Sequence, residues 1–418
     1  MAERPIRIVV TDDLRRSRLT VFFRLLLALP HFVWLLLWGV VVLLAVIAGW
    51  FATLVRGRLP LGLHNFLAAY LRYTTHVGAF VFLAANQFPG FTGAPGYPVD
   101  LEIDGPERQN RWTVGFRVFL VLPPLFLAGV LGAHATSVGS FTVATTVGFL
   151  AWWACLVRGR MPEGFRNLLA YSLRYYAEAT AYAYLLTGRY PHSSPALDRL
   201  PTEQPRHPVR MLVTDDLRRS RLTVFFRVLL ALPHLLWRSL WGTAAYVIAV
   251  IMWFATLIRG TPPESLHTFV AQYVRYSTQV NAYLLLVANP FPGFFLGTAR
   301  PYPIDLEFDG PQRQNRWSVG FRLLLGIPAG LVATALNYVL YLAAFGAWFF
   351  ALVTGRMPPG LRDLSAFVLR YSAQMSAYFF LVTGRYPYSG PVDPGALPVA
   401  APEPASEPEP ASEPEPTA

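Results

Sequence analysis

The chain has 418 residues, of which 54% are apolar, 15% aromatic and only 14% charged. An ordinary soluble domain carries about a quarter charged residues, so this composition excludes that class and belongs to a membrane protein. The net charge is +11 and all 35 basic residues are arginine, but these flank apolar segments instead of forming one basic module, which points to anionic lipid headgroups and away from nucleic acid.

The elements come in four units. Ile6 to Val10 reads as a strand, followed by the charged run from Asp12 to Arg18, so no signal peptide is expected. A long apolar helix over about 31–55, a turn at Arg56-Gly57-Arg58 and a second helix over about 64–85 complete the first unit. The second unit opens with the strand Val99 to Asp104 and has helices over 124–157 and 166–187, the first interrupted near His134 to Ser140. The third has a strand from Val209 to Val213 and helices over 234–258 and 267–288. The fourth has a strand from Ile304 to Asp309 and helices over 329–353 and 362–383. Thr11 to Arg24 returns letter for letter as Thr214 to Arg227, and Asn110 to Arg117 returns with one change as Asn315 to Arg322.

The domain boundaries follow: membrane units at 1–96, 97–192, 207–300 and 301–390, a linker at 193–206, and a disordered Pro/Glu tail at 391–418. The odd strands carry Arg where the even ones carry Asp or Glu, which predicts odd–even pairs in a small sheet at one membrane face. The fold class is mainly α: a polytopic protein of about eight spans in four helical hairpins. An arginine excess on the strand side places both termini in the cytoplasm of a multi-pass cell-membrane protein.

Two sets of residues stand out. Each second helix carries an arginine within a stripe of small and polar residues: Arg72 with His76, Arg174 with Glu178, Arg275 with Gln279, and Arg370 with Gln374. Spacing by four puts each pair on one helix face. An arginine exposed to lipid at this depth costs at least about 2.5 kcal/mol, so the stripes should face the bundle interior, either as packing contacts or as the lining of a polar pathway. Arg24, Arg117, Arg227 and Arg322 each stand six residues before a proline. They are candidate headgroup contacts on an interfacial segment that turns into the span at that proline. Asp12-Asp13 and Asp215-Asp216 read as helix caps with local salt bridges. No histidine cluster, nucleophile elbow or phosphate loop suggests a metal, a cofactor or catalysis.

The arginine–proline step, the Trp-rich span, Arg56-Gly57-Arg58-Leu59-Pro60, the Arg-Tyr of the second helix, and the closing Thr187-Gly188-Arg189-Tyr190-Pro191 and Thr383-Gly384-Arg385-Tyr386-Pro387 together carry a resemblance. The chain is similar to an uncharacterised bacterial integral-membrane family, common in actinobacteria, known as domain of unknown function 4389. The resemblance covers most of residues 15–388 in four copies. It implies membrane residence and brings no activity or catalytic residue. Units one and three depart from the closing motif, with Asn86-Gln87-Phe88-Pro89 and Asn289-Pro290-Phe291-Pro292. The functional expectation is a non-catalytic envelope scaffold or a module binding lipids or a protein partner; a transporter or channel lined by the arginine stripes is the alternative.

Overall fold

The computed structural model describes residues 4–134, 137, 139–195, 207–294 and 302–391. The expected linker beyond residue 195 and the expected disordered tail beyond 391 lie outside the described residues. Unit one runs through β1 (Ile6–Val10), α1 (Arg18–Phe22), α2 (Arg24–Arg56) and α3 (Leu61–Val81). Unit two runs through β2 (Val99–Ile103), α4 (Arg111–Gly115), α5 (Arg117–Leu120), α6 (Leu122–Leu131), α7 (Val143–Arg158) and α8 (Glu163–Ala183). Unit three has β3 (Val209–Val213), α9 (Arg221–Arg259) and α10 (Glu264–Leu284). Unit four has β4 (Ile304–Phe308), α11 (Arg316–Gly320), α12 (Arg322–Thr354) and α13 (Pro359–Phe379).

Local sequence explains where these helices stop. Gly57, Gly159, Gly260 and Gly355 end α2, α7, α9 and α12 in the left-handed conformation, with φ between 66° and 80°. A side chain there would cost about 1–2 kcal/mol, so glycine closes each hairpin. The expected interruption of unit two is present: α6 ends at Gly132, and Thr142 starts α7 in a reciprocal cap with Thr145. The prolines behave differently from expectation. Pro30, Pro233 and Pro328 lie inside α2, α9 and α12, which begin before them. Proline removes one donor but keeps a helical φ, so the helix continues past it; in unit two Pro123 does stand in the first turn of α6, as the expected step required.

The strands pair odd with even as charge complementarity predicts, but as two separate two-stranded sheets in place of the single small sheet expected, since each pair closes within one half of the chain. β1 lies antiparallel to β2 with Arg7 opposite Glu102, and β3 antiparallel to β4 with Arg210 opposite Glu307. Arg7 bonds Glu102 at 3.1 Å and Asp104 at 3.0 Å on the outer face, while Ile6, Ile8, Val99 and Leu101 are buried beneath.

Three layers result. The strands form the first: β2 rests on α3, β1 on α8, β4 on α10 and β3 on α13. Those four second helices form the middle, α3 packing on α8 and α10 on α13. The first helices form the third, α2 behind α3, α6 and α7 behind α8, α9 behind α10, and α12 behind α13. α12 also packs against α6, α7 and α9 and so joins the two halves of the chain.

Within each half the two units are inverted. The Arg16 N–H donates to the Gly159 carbonyl at 2.9 Å, and the Gln109 N–H to the Gly57 carbonyl at 2.8 Å. Arg219 and Gln314 repeat this with Gly355 and Gly260. Each unit therefore begins at its partner's hairpin turn. Indole donors lock the exchange: Trp50 to the Val114 carbonyl, Trp152 to Val21, Trp253 to Val319 and Trp348 to Val224.

Two expectations are corrected. Among the described helices, α2, α9 and α12 are long and apolar enough to cross a membrane; eight spans are not supported. The break shortens the helices of unit two, and the second helices hold too many buried polar residues. The arginine bias also loses its meaning, because strand-side and turn-side arginines share the same ends of the molecule. Arg15 and Arg160 even form a β-bridge.

Candidate functional site

The arginines of the second helices point at the strand layer and at the extended segments that follow each helix. Arg72 donates to the carbonyls of Leu101 at 3.1 Å and Gly93 at 3.3 Å, and its Nε lies 3.6 Å from Asp100. His76 Nε2 is 2.8 Å from the same carboxylate, which also accepts the N–H groups of Gly96 and Leu101. Burial alone would raise the Asp100 pKa, but His76 and the two backbone donors outweigh it and hold it below the usual carboxylate value. In unit three Arg275 grips Asp305 with two bonds, and Gln279 adds a third at 3.1 Å.

The even units use the same positions on a different target. Arg174 is fully buried and bonds Glu178 and the Ser194 carbonyl, while Glu178 accepts the His192 N–H at 2.9 Å. Arg370 donates to the Gly390 carbonyl at 2.7 Å, and Gln374 bridges the Val209 carbonyl and the Tyr388 N–H, both at 3.1 Å. All four pairs are thus engaged, in the odd units with β2 and β4 and in the even units with the segment after the helix, Gln374 also reaching β3.

Arg24, Arg117, Arg227 and Arg322 are not headgroup contacts: each is at most 2% exposed. Arg24 donates to the carbonyls of Phe80 at 2.6 Å and Ala85 at 3.0 Å, at the end of α3. Arg227 does the same to Tyr283 and Ala288 after α10. Arg117 and Arg322 reach the Thr187 and Thr383 carbonyls, both at 3.2 Å. Every one lies over an aromatic ring, of Phe80, Tyr182, Tyr283 or Tyr378, at 3.8–4.5 Å. A helix C-terminus leaves four carbonyls without partners and a partial negative charge, and the guanidinium answers both.

A second set of caps stands eight residues earlier and was not singled out from the sequence. Arg16 and Arg219 donate to the carbonyls of Leu83 and Ala84, and of Leu286 and Val287. Gln109 and Gln314 donate to those of Leu185 and Leu381. These four leucines share a left-handed φ of 63–66°. The fixed offset from the arginines, in all four units, was the available signal. Asp12 and Asp215 serve this set: each salt-bridges the arginine four residues on and accepts a backbone N–H two residues on, so they shape a turn and not a helix cap.

The outer face of the third layer is of another kind. Leu36, Leu43, Phe126, Leu240, Phe345 and Val353 are each 62–74% exposed. They stand for the exposed apolar faces of α2, α6, α9 and α12, to which Phe149 and Val157 add that of α7. Exposed arginines border it at both ends of the helices: Arg18, Arg158 and Arg160 at one end of the first half, Arg56, Arg58 and Arg111 at the other. Trp112 and Trp317, 77% and 76% exposed, stand beside Arg111 and Arg316. Among the described residues no group of three His, Cys, Asp or Glu could hold a metal ion.

The family described as Domain of unknown function (DUF4389) matches residues 18–92, 111–194, 221–296 and 316–389. The chain belongs to this family. It does so in four tandem copies, each covering an amino-terminal arginine set, a hairpin and the segment after the second helix. No curated protein and no solved structure matches the chain. The family brings no assigned activity, so function has to be argued from the surfaces.

Proposed function

We propose that this protein is a non-catalytic, membrane-bound scaffold or lipid-binding module, held to the bilayer by the outer face of its third layer. One observation carries the reading: large exposed apolar side chains crowd the first helices, while the strand layer opposite displays ion pairs. An apolar surface of this extent, bordered by arginine and tryptophan, fits the bilayer interface, where apolar burial and attraction to anionic headgroups add. The helix stripes support the scaffold in preference to a pathway, because their arginines are engaged with carbonyls and carboxylates between packed layers.

Vesicle flotation tests the proposal. Purified protein should float with phosphatidylglycerol vesicles, less with purely zwitterionic ones. Leu36→Asp, Leu43→Asp and Phe345→Asp combined should abolish flotation while the protein stays folded, since none of these residues is in the core. Flotation unchanged by the triple substitution would refute the assignment of this face.

A further inference from the structure

Resting on that membrane reading, we propose that the apolar face lies in a single leaflet, with the first helices flat at the interface and the strand layer in water on the same side. Length alone would let α2 cross: its 33 residues span roughly 50 Å. The obstacle is what sits beside its middle. α3 returns along α2, with Tyr70 and Tyr73 against Trp38, near the centre of that helix. β2 lies on the far side of α3 at the same level, with the Leu101 carbonyl bonded to Arg72. Glu102 and Asp104 follow directly, their side chains 45% and 50% exposed on the outer surface.

If α2 crossed the bilayer, those carboxylates and the open edges of a two-stranded sheet would sit near the hydrocarbon midplane. Unsatisfied backbone groups and exposed charge are not tolerated there, and only closed hydrogen-bonded structures span lipid. The second half repeats the conflict, with Glu307 and Asp309 on β4 and after it. Laying the third layer flat removes it. The apolar face then enters the acyl region by one helix radius, the arginines at both helix ends reach phosphates of one leaflet, and the sheets stay hydrated. Inversion of the units fits this geometry, because it puts an arginine-rich turn and an arginine-rich start at each end of the slab.

Sidedness of cysteine labelling tests it. The native Cys155 is buried, so single cysteines at Arg58, Arg160 and Glu102 provide the probes. Arg58 and Arg160 lie at opposite ends of the slab. In sealed, uniformly oriented cell-derived vesicles, a membrane-impermeant maleimide should label all three from the same side. Labelling of Arg58→Cys and Arg160→Cys from opposite sides would overturn the inference, and would mean that the helices cross with the strand faces lining a wet space between copies. A protein that fails to float loses the membrane reading itself; one that floats but labels from both sides loses only the single-leaflet placement.

Discussion

At the scale of residues, the helix-start arginines show how chemistry visible in sequence can be turned to another use. A guanidinium before an apolar helix suits a headgroup, yet Arg24 spends its donors on the end of α3. Its neighbour Arg18 is exposed and bonds the Val157 carbonyl at 3.0 Å. The two should therefore respond differently to the same substitution. Arg24→Gln should lower stability by about 2–4 kcal/mol, because it removes two charge-assisted bonds to buried carbonyls. Arg18→Gln should change stability by less than about 1 kcal/mol and weaken binding to anionic vesicles instead. Thermal unfolding in detergent and flotation at low salt separate these outcomes. Leu83, Leu185, Leu286 and Leu381 are the local irregularity this scheme tolerates. Each accepts a left-handed backbone, costing about 1 kcal/mol, in exchange for a side chain at most 2% exposed.

At the scale of elements, the recurring device is a polar side chain that ties a second helix to a strand or to the segment following it. Glu178 is the sharpest case, since it holds both the buried Arg174 and the His192 backbone. Glu178→Ala should cost about 3–5 kcal/mol by leaving a buried guanidinium without its counter-charge, whereas Arg174→Met with Glu178→Leu should recover much of that loss. A double-mutant cycle on unfolding midpoints measures the difference. The exposed Arg7–Glu102 pair should by contrast contribute under about 1 kcal/mol, being half open to water. The strands are thus fixed by their apolar undersides and by clamps from the second helices more than by their surface ion pairs.

At the scale of the whole molecule, the paired units are inverted, with the strand layer on one face and the exposed apolar side chains on the other. A titratable group stands where the second half begins. His207 is 7% exposed, beside the Val209 backbone. Burial first, and then the nearby Arg370 and Arg385, push its pKa down from 6.5 to about 4, against the opposing hydrogen bond of Val209. The unfolded chain takes up this proton near pH 6.5 and the folded one only near pH 4. Stability should therefore fall as pH drops between those values, by up to about 1.4 kcal/mol per pH unit, and level off below. His207→Gln should make that part of the stability–pH curve less steep. A slope that survives the substitution would assign the dependence to other groups.

Much of this protein was legible before any packing was known. Repetition gave the four units, glycine and strand patterning gave the hairpin turns and the elements, and charge alternation gave the pairing of Arg7 with Glu102 and Arg210 with Glu307. These are local or pairwise properties, and a linear sequence records them directly. The stripes were found as residues, but their direction was not: periodicity shows that Arg72 and His76 share a face without saying that β2 lies on it. The arginines before the proline were misread for a related reason, since burial depends on what returns to that spot, here the end of α3 after some sixty residues of intervening chain. Inversion was invisible for the same cause. Two units with matching sequence order can pack parallel or antiparallel, and only the tertiary contacts of Arg16 with Gly159 and Gln109 with Gly57 decided it. The sequence by itself determined the repeated elements and their pairing; the tertiary structure decided how the units are turned against one another, because orientation is a property of long-range contacts that no local pattern encodes.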